Sequence, residues 1–479
     1  MDRLYKELEN YSKKDYYPFH MPGHKRNGNS VDGDFPFDRD ITEISGFDNL
    51  HHPQEILKKA QEEGAKLYGS LECFFSINGS TAALLAAVSA CVKRGGKILM
   101  ARNCHKAVYH AVYLRDLKPV YIYPQIEREL EINGGIAPCR VKRMLEEQPD
   151  IEAILITSPT YDGVVSDVAG IARIAKEYGI PLIVDEAHGA HFCFSNYFPV
   201  SALKLGADIV VQSLHKTLPS MTQTAVLHRC SDRVSGDEIR RFMGIYQSSS
   251  PSYILMASMD ACLDKIARDG DAMFQNFVGN LKHVRERLEK CRYIRLGTTD
   301  MIGNAGVFDF DRSKLLFFTK GTSLTGHELH TILREEFHLE MEMESEYYVT
   351  AITSVGDTKE GLERLCNAIE EIDRREALKR IDERKKEIFL DSAPYMKMKQ
   401  VMGIAKAMES PVRKCLLEES IGKTSAEFVY LYPPGIPILV PGEQITGQFV
   451  RNVRRYMEQG LDLQGLCDYT NRTICVVGE

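Results

Sequence analysis

Ser213-Leu214-His215-Lys216-Thr217-Leu218-Pro219-Ser220-Met221 follows the apolar run Asp208-Ile209-Val210-Val211-Gln212 and precedes a second one, Thr224-Ala225-Val226-Leu227. The flanking runs read as buried strands, which puts Lys216 at a strand's mouth among hydroxyls and an imidazole. A lysine amine is a good Schiff-base nucleophile once its surroundings suppress its charge. The neighbouring hydroxyls and His215 suit a phosphate. Taken alone, Lys216 reads more readily as a solvated loop residue.

Upstream, Ile180-Pro181-Leu182-Ile183-Val184-Asp185-Glu186-Ala187-His188-Gly189-Ala190-His191 changes that balance. A buried strand ends in an aspartate, at the strand end where open α/β sheets bind ligands. A carboxylate there can keep a pyridine nitrogen protonated, so that the ring accepts electrons from a breaking bond. The competing role for Asp185 is to cap the following helix. Together the two stretches point to pyridoxal 5'-phosphate, which carries both an aldehyde and a phosphate.

The chain has 479 residues, too many for one ordinary core, so two or three domains are expected. Hydrophobic residues at 44% and charged residues at 27% describe a soluble globular composition, and the formal charge of -7 gives no electrostatic case for nucleic acid. Met1 to Asp15 is mostly polar, so no secretory leader is expected. The apolar window Ala82 to Val92 is too short to span a bilayer, so no membrane partner is expected. The 12 cysteines form no CxxC pair, which favours reduced thiols, a cytoplasmic setting and no bound metal.

Residues 1–60 lack periodicity and read as an extended arm of the kind that lies across another subunit, with a helix from Pro53 to Lys66. Seven strands are expected at Cys73–Ile77, Lys97–Ala101, Val120–Tyr123, Ala153–Thr157, Leu182–Val184, Ile209–Gln212 and Thr224–Leu227. Helical patterns over Thr81–Lys93, His105–Leu114, Pro138–Glu147 and Val168–Glu177 separate most of them. Such alternation implies an α/β fold, a largely parallel sheet with helices on both faces. The expected division is an arm (1–60), a large domain (61–300), a smaller α+β unit (301–385) and a last compact unit (386–479). Arg374 to Lys386 reads as a solvated helix between subdomains.

Asn78-Gly79-Ser80-Thr81 sits between a strand and a helix start, where free N–H groups attract phosphate or where a hydroxyl merely caps. In Arg102-Asn103-Cys104-His105-Lys106, His105 either lies against a ring or simply starts a helix. Met21-Pro22-Gly23-His24-Lys25-Arg26 and Asp40-Ile41-Thr42-Glu43 line a site mouth or decorate the surface. Gln247-Ser248-Ser249-Ser250-Pro251-Ser252 offers one more phosphate contact.

In this order, His20 to Lys25, Asp40 to Glu43, Asn78 to Thr81, Asp185 to His191, Ser213 to Lys216 and Tyr432-Pro433-Pro434-Gly435-Ile436-Pro437 resemble the ornithine/lysine/arginine decarboxylase family, pyridoxal-phosphate enzymes of the aspartate-aminotransferase fold type I. The resemblance implies that Lys216 holds the cofactor aldehyde, Asp185 pairs with the ring nitrogen, His105 stacks on the ring and His188 supports its other edge. It further implies that Ser80, Thr81, Ser213 and His215 bind the phosphate, and that Ser249 reaches a neighbouring subunit's phosphate. Residues 386–479 become the family's C-terminal domain. Longer members begin with a receiver-like wing domain; this chain looks like the short branch, for which a homodimer or dimer of dimers is expected.

The implied reaction is decarboxylation of a basic L-amino acid, arginine or lysine favoured over ornithine, in polyamine metabolism. Asp40, Glu43, Asp48 and Glu427 are candidates for holding the substrate's cationic end. The alternatives are an aminotransferase or carbon–sulfur lyase on the same scaffold, or a catalytically silent regulatory homologue.

Overall fold

The computed structural model describes residues 3–127, 130, 132–379, 397–431, 435–458 and 463–478. Two helices, α1 (Leu4–Ser12) and α2 (Ile56–Tyr68), precede the first strand. Helix α1 corrects the reading of residues 1–60 as wholly extended. Leu4, Leu8 and Tyr11 share one face of it and are buried. Arg3 reaches Asp260 and Asp264, and the Tyr5 hydroxyl donates to Asp264 at 3.0 Å. Four apolar positions in nine residues were too few to show against the polar background.

The large unit then alternates: β1 (Glu72–Ser76), α3 (Gly79–Cys91), β2 (Lys97–Ala101), α4 (Lys106–Leu114), β3 (Lys118–Ile122), a hairpin of β4 (Ile126–Glu127) and β5 (Ile132–Asn133), α5 (Pro138–Glu147), β6 (Ile151–Thr157), β7 (Val164–Val165), α6 (Val168–Glu177), β8 (Leu182–Asp185), β9 (Ile209–Ser213), α7 (Leu214–Thr217) and β10 (Ala225–Arg229). All the expected strands are present, with ends shifted by one or two residues. They form a seven-stranded sheet in the order β1-β10-β9-β8-β6-β2-β3. Only β10 runs against its neighbours; β9, β8, β6, β2 and β3 pair in parallel.

Helices cover both faces of this sheet. α3 is rich in Ala and Leu on every side because it is buried between sheet and helices, with Ala82, Ala83, Leu84, Ala86, Ala87 and Val88 shielded. α5 and α6 pack on the opposite face, against Ile154, Val184 and Val210. Next come α8 (Gly236–Tyr246) and α9 (Tyr253–Leu288), a single 36-residue helix.

The smaller unit holds β11 (Arg295–Leu296), β12 (Asp309–Phe310), β13 (Lys314–Phe318), α10 (Gly326–Glu335), β14 (Met343–Glu344), β15 (Tyr348–Ile352) and α11 (Lys359–Ala377). Its sheet, β11-β13-β15-β14, is antiparallel. β12 pairs with β7 of the large unit, so the two are stitched by backbone hydrogen bonds. The solvated helix expected over Arg374–Lys386 is the end of α11 as far as Ala377; residues 380–386, and the division expected at 385/386, lie outside the described residues.

The last unit comprises α12 (Ile404–Glu409), β16 (Val412–Leu416), β17 (Val429–Leu431), β18 (Ile436–Leu439), α13 (Gly447–Glu458), β19 (Leu463–Gln464) and β20 (Thr473–Val477). Of the proline-rich motif, Tyr432, Pro433 and Pro434 lie outside the described residues. Among the described residues no helix is long and apolar enough to cross a membrane.

Candidate active site

A cavity of about 1040 Å³ opens where the parallel strands end, lined from the segments that follow β1, β2, β6, β8 and β9. This is the edge at which α/β sheets bind ligands, because the loops there converge without having to cross the sheet. It brings together Ser80, Thr81, His105, Asp185, His188, Ser213, His215 and Lys216. Ser249 is not among the lining residues; it lies in the exposed turn 248–250, off the cavity of its own chain.

Lys216 stands on the one-turn helix α7, directly after β9. Burial pushes its ammonium below the usual lysine range, while Asp185 and Glu342 pull it back. Asp185 is the last residue of β8 and is 3% exposed. Burial raises its carboxyl; the Lys216 charge and the Ala187 N–H, 3.2 Å from Oδ1, work the other way. The Ala187 bond shows that Asp185 also serves the turn after β8, so its two candidate roles coexist.

His188 lies between two amines: Nε2 is 3.0 Å from Lys216 Nζ, and Nδ1 is 2.9 Å from Lys314 Nζ. Burial first, then the lysine charges, hold it well below its ordinary ionisation range. His105 is pushed down to about 3 by burial, reinforced by Lys216 and Lys106. Its Nδ1 accepts from the Ala107 N–H at 3.2 Å, so it caps α4 and lines the cavity at once, with its proton on Nε2.

At the phosphate-type end, no side chain caps the N-terminus of α3. Gly79 has φ +69°, and its N–H is taken by the Gln223 carbonyl at 2.8 Å. Ser80 and Ser213 hydroxyls meet at 2.6 Å across the sheet. His215 Nδ1 donates to the Thr224 carbonyl at 2.8 Å, which fixes that ring. Helix N-terminal N–H groups beside paired hydroxyls form a natural cup for a phosphate.

Two buried polar atoms on the wall lack partners among the described residues: Asn103 Oδ1 and Thr157 Oγ1. A buried polar group without a partner is costly, so these atoms suit a polar ring placed beside them. With Lys216 for the aldehyde, Asp185 for the ring nitrogen and the α3 cup for the phosphate, the residues fit pyridoxal phosphate.

None of the four proposed substrate carboxylates lines the cavity. Asp48 is spent on the N-terminus of α2, accepting from the N–H groups of Gln54 and Glu55 at 2.9 and 2.8 Å. Glu427 is buried in the last unit, accepting from Cys467 and Cys475 N–H at 2.9 and 2.8 Å. Asp40 pairs with His24 at 3.2 Å, and Glu43 lies off the lining. Besides Asp185, the acids that line it are Glu340, Glu342 and Glu344 around β14, and the buried Asp162. Tyr161 donates to Glu342 and Tyr348 to Asp162.

Lys314, at the start of β13, is the other residue sequence reading missed. It looked like the polar edge of an apolar strand, yet it is 0% exposed. Ile436 and Ile438 of the last unit close one wall. Their segment is held by buried Arg102, which donates to the Pro437 carbonyl at 2.5 Å and faces Glu443 at 3.2 Å.

Comparison with known proteins agrees with this geometry. The model for "Orn/Lys/Arg decarboxylase, major domain" matches residues 3–317, and that for the family's C-terminal domain matches residues 382–464. An arginine decarboxylase of Bacillus subtilis is 33% identical over 483 residues, covering 99% of this chain and 98% of that protein. One of Bacillus anthracis is 32% identical, with coverage of 99% and 97%. The crystal structure of a Francisella novicida lysine decarboxylase superposes with a TM-score of 0.84 at 21% identity, covering 99% of this chain and 81% of that one. A lysine and an aspartate on adjoining strand ends, a phosphate cup beside them and a match along almost the whole chain have one common explanation: the chain belongs to the Orn/Lys/Arg decarboxylase family, enzymes that remove CO2 from a basic amino acid with pyridoxal phosphate.

Proposed function

We propose that the substrate is L-arginine, converted to its amine and CO2, with Lys216 carrying the cofactor, Asp185 at the ring nitrogen and His105 against the ring face. Ser80, Thr81, Ser213 and His215 hold the phosphate, and His188 supports the ring's other edge while bonding Lys216. The observation that carries this reading is one cavity lined by Lys216 and Asp185 together with Glu340, Glu342 and Glu344. Full-length relatives named arginine decarboxylase favour arginine over lysine and ornithine.

Bound there, pyridoxal phosphate supplies an electron-accepting ring for the bond that releases CO2. The chain's own residues prepare that chemistry. Burial biases Lys216 toward the neutral amine that attacks an aldehyde. Asp185, anionic beside Lys216, keeps a proton on a heterocyclic nitrogen facing it. His105 stays neutral and adds no charge next to the ring. A guanidinium presents a planar fork that a carboxylate grips through two hydrogen bonds, and Glu342 with its neighbours supplies such a carboxylate. Holding the substrate at that end fixes which bond stands across the ring. A loss of about 4 kcal/mol of such stabilisation slows turnover about a thousandfold.

The active assembly is a homodimer or a dimer of dimers in the cytoplasm, feeding polyamine synthesis, with Ser249 reaching the neighbour's phosphate. The arm supports this: Tyr17 is 70% and Phe19 90% exposed in the single chain, an apolar surface that a second copy would cover. The division into 1–60, 61–300, 301–385 and 386–479 is kept for the arm, large, small and C-terminal units.

The test is a screen of arginine, lysine and ornithine with the amine product identified by mass. Arginine is expected to be the preferred substrate, and Lys216→Ala to lose both turnover and visible absorbance. A Lys216→Ala protein that still turns over, or a clear preference for another amino acid, would overturn the corresponding part.

A further inference from the structure

Lys314 brings a second amine into this centre from the smaller unit. It is fully buried, 2.9 Å from His188 Nδ1, while His188 Nε2 is 3.0 Å from Lys216. A neutral imidazole offers one N–H and one lone pair. Of the two amines flanking His188, one therefore donates as an ammonium and the other accepts through its lone pair. The trio then holds one positive charge in either of two arrangements.

Resting on the reading of Lys216 as the cofactor-carrying amine, we propose that Lys314 is its proton partner, with His188 as the relay between them. In the forward shift a proton leaves Lys216 Nζ for His188 Nε2 while another leaves His188 Nδ1 for Lys314 Nζ. Two N–H bonds break and two form, the charge moves from Lys216 to Lys314, and the imidazole ends as its other tautomer. Lys216 is left as the neutral nucleophile. The reverse shift returns the proton. Each decarboxylation takes up one proton, so a store of one beside Lys216 is used at every turnover.

The surroundings fit a shared proton better than a fixed ion pair. Asp311 in the preceding turn, Asp162 after β6, Glu342 before β14 and Lys216 all act on Lys314, and its amine lies 5.8 Å from the centre of the Tyr161 ring. Yet among the described residues no carboxylate forms an ion pair with it; its partner is the imidazole. Burial brings Lys314 down to about 8 despite those acids, and burial lowers Lys216 as well. Lys216 itself faces Asp185, Glu342 and His105, and His188 also faces His215, His105 and the Tyr161 ring. The lysine stem is clamped: at Gly163, φ +94°, an added Cβ would come within 2.9 Å of Lys314 Cγ. Backbone strain and close approach together require glycine there.

The experiment follows covalent capture of pyridoxal 5'-phosphate by the full-length, cofactor-stripped enzyme, read as absorbance against pH. Lys314→Met and His188→Gln are each expected to move the capture profile up by about one pH unit, slowing capture at pH 7 about tenfold, with recovery in more alkaline buffer. Lys314→Arg donates to His188 but cannot give up its proton. It is expected to keep capture near the wild-type rate while kcat falls at least about tenfold, since each tenfold needs only a small rise in barrier. Unshifted profiles in the Met and Gln variants, or a wild-type kcat in the Arg variant, overturn the relay. Should Lys314→Met fail to fold by circular dichroism, His188→Gln carries the comparison with both lysines in place. Capture that survives in Lys216→Ala overturns the underlying assignment instead, so the two failures are told apart.

Discussion

Burial makes the imidazoles of His105, His188 and His228 reluctant bases, and their uses differ with what surrounds them. His105 and His188 stay neutral beside lysines in the cavity, where another positive charge would oppose Lys216. His228 is pushed to about 3 by burial alone, with Ser70 Oγ 3.1 Å from Nδ1 and Nε2 without a partner among the described residues. The unfolded chain takes up a proton on His228 below its usual 6.5, whereas the folded chain resists it down to about 3. Stability therefore falls as pH drops through that window, by roughly 2 kcal/mol between pH 6.5 and about pH 5. Glu186 acts in the opposite direction. Burial raises it to about 7 from 4.5, so the folded state retains a proton and loses stability as pH rises between those values. Because the two slopes oppose each other, the readout is a difference. On acidification, wild type is expected to lose roughly 2 kcal/mol more than His228→Phe in urea unfolding. Parallel slopes would remove His228 as the cause.

At the scale of an element, α2 shows a cap supplied from a distance. Its own N-cap position, Glu55, makes no side-chain bond. The carboxylate of Asp48 instead accepts from the N–H groups of Gln54, Glu55, Leu57 and Lys58 at 2.8 to 3.4 Å. Burial alone would raise this carboxyl, but the backbone donors outweigh it and hold it below its usual range. Those donors are the ones a helix start leaves unsatisfied. Asp48→Ala is expected to cost about 2 kcal/mol in thermal or denaturant unfolding, and Asp48→Asn about half of that. An alanine variant as stable as wild type would mean that water replaces the carboxylate without loss.

Across the whole molecule, one buried ion pair joins the central sheet to the C-terminal unit. Arg102 and Glu443 are 1% and 0% exposed, and Glu443 also accepts from the Val440 N–H at 2.9 Å. Arg102 further donates to the Tyr109 hydroxyl at 3.0 Å. The pair locks β18, and with it Ile436 and Ile438, against the cavity. Glu443→Gln leaves an uncompensated guanidinium in the interior, for an expected cost of about 3 kcal/mol. Activity is expected to fall with it, as the isoleucine wall loosens. Replacing both partners by apolar residues of similar volume is expected to restore much of the stability, since the desolvation penalty then disappears. If the double variant is no more stable than Glu443→Gln, the pair has a role beyond mutual neutralisation.

The strands of the central sheet were legible because each is a short apolar run bounded by turn residues, a property of neighbours in the chain. Lys216, Asp185, His105 and Ser80 were legible for the same reason: an α/β sheet gathers whatever follows its parallel strands at one edge. Lys314 was hidden, although it directly follows a hydroxyl residue and stands beside an apolar run, because its burial depends on the loop around Gly163 and on His188, 126 positions away. Asp48 and Glu427 looked like free carboxylates until their backbone donors were seen, and Glu342 looked like one of many acids. Arg102 and Glu443 are 341 residues apart. Local pattern determines which elements form, since a few neighbouring side chains set hydrophobic periodicity. What a charged side chain does depends on the groups that remove it from water, and those come from remote parts of the chain that only packing brings near.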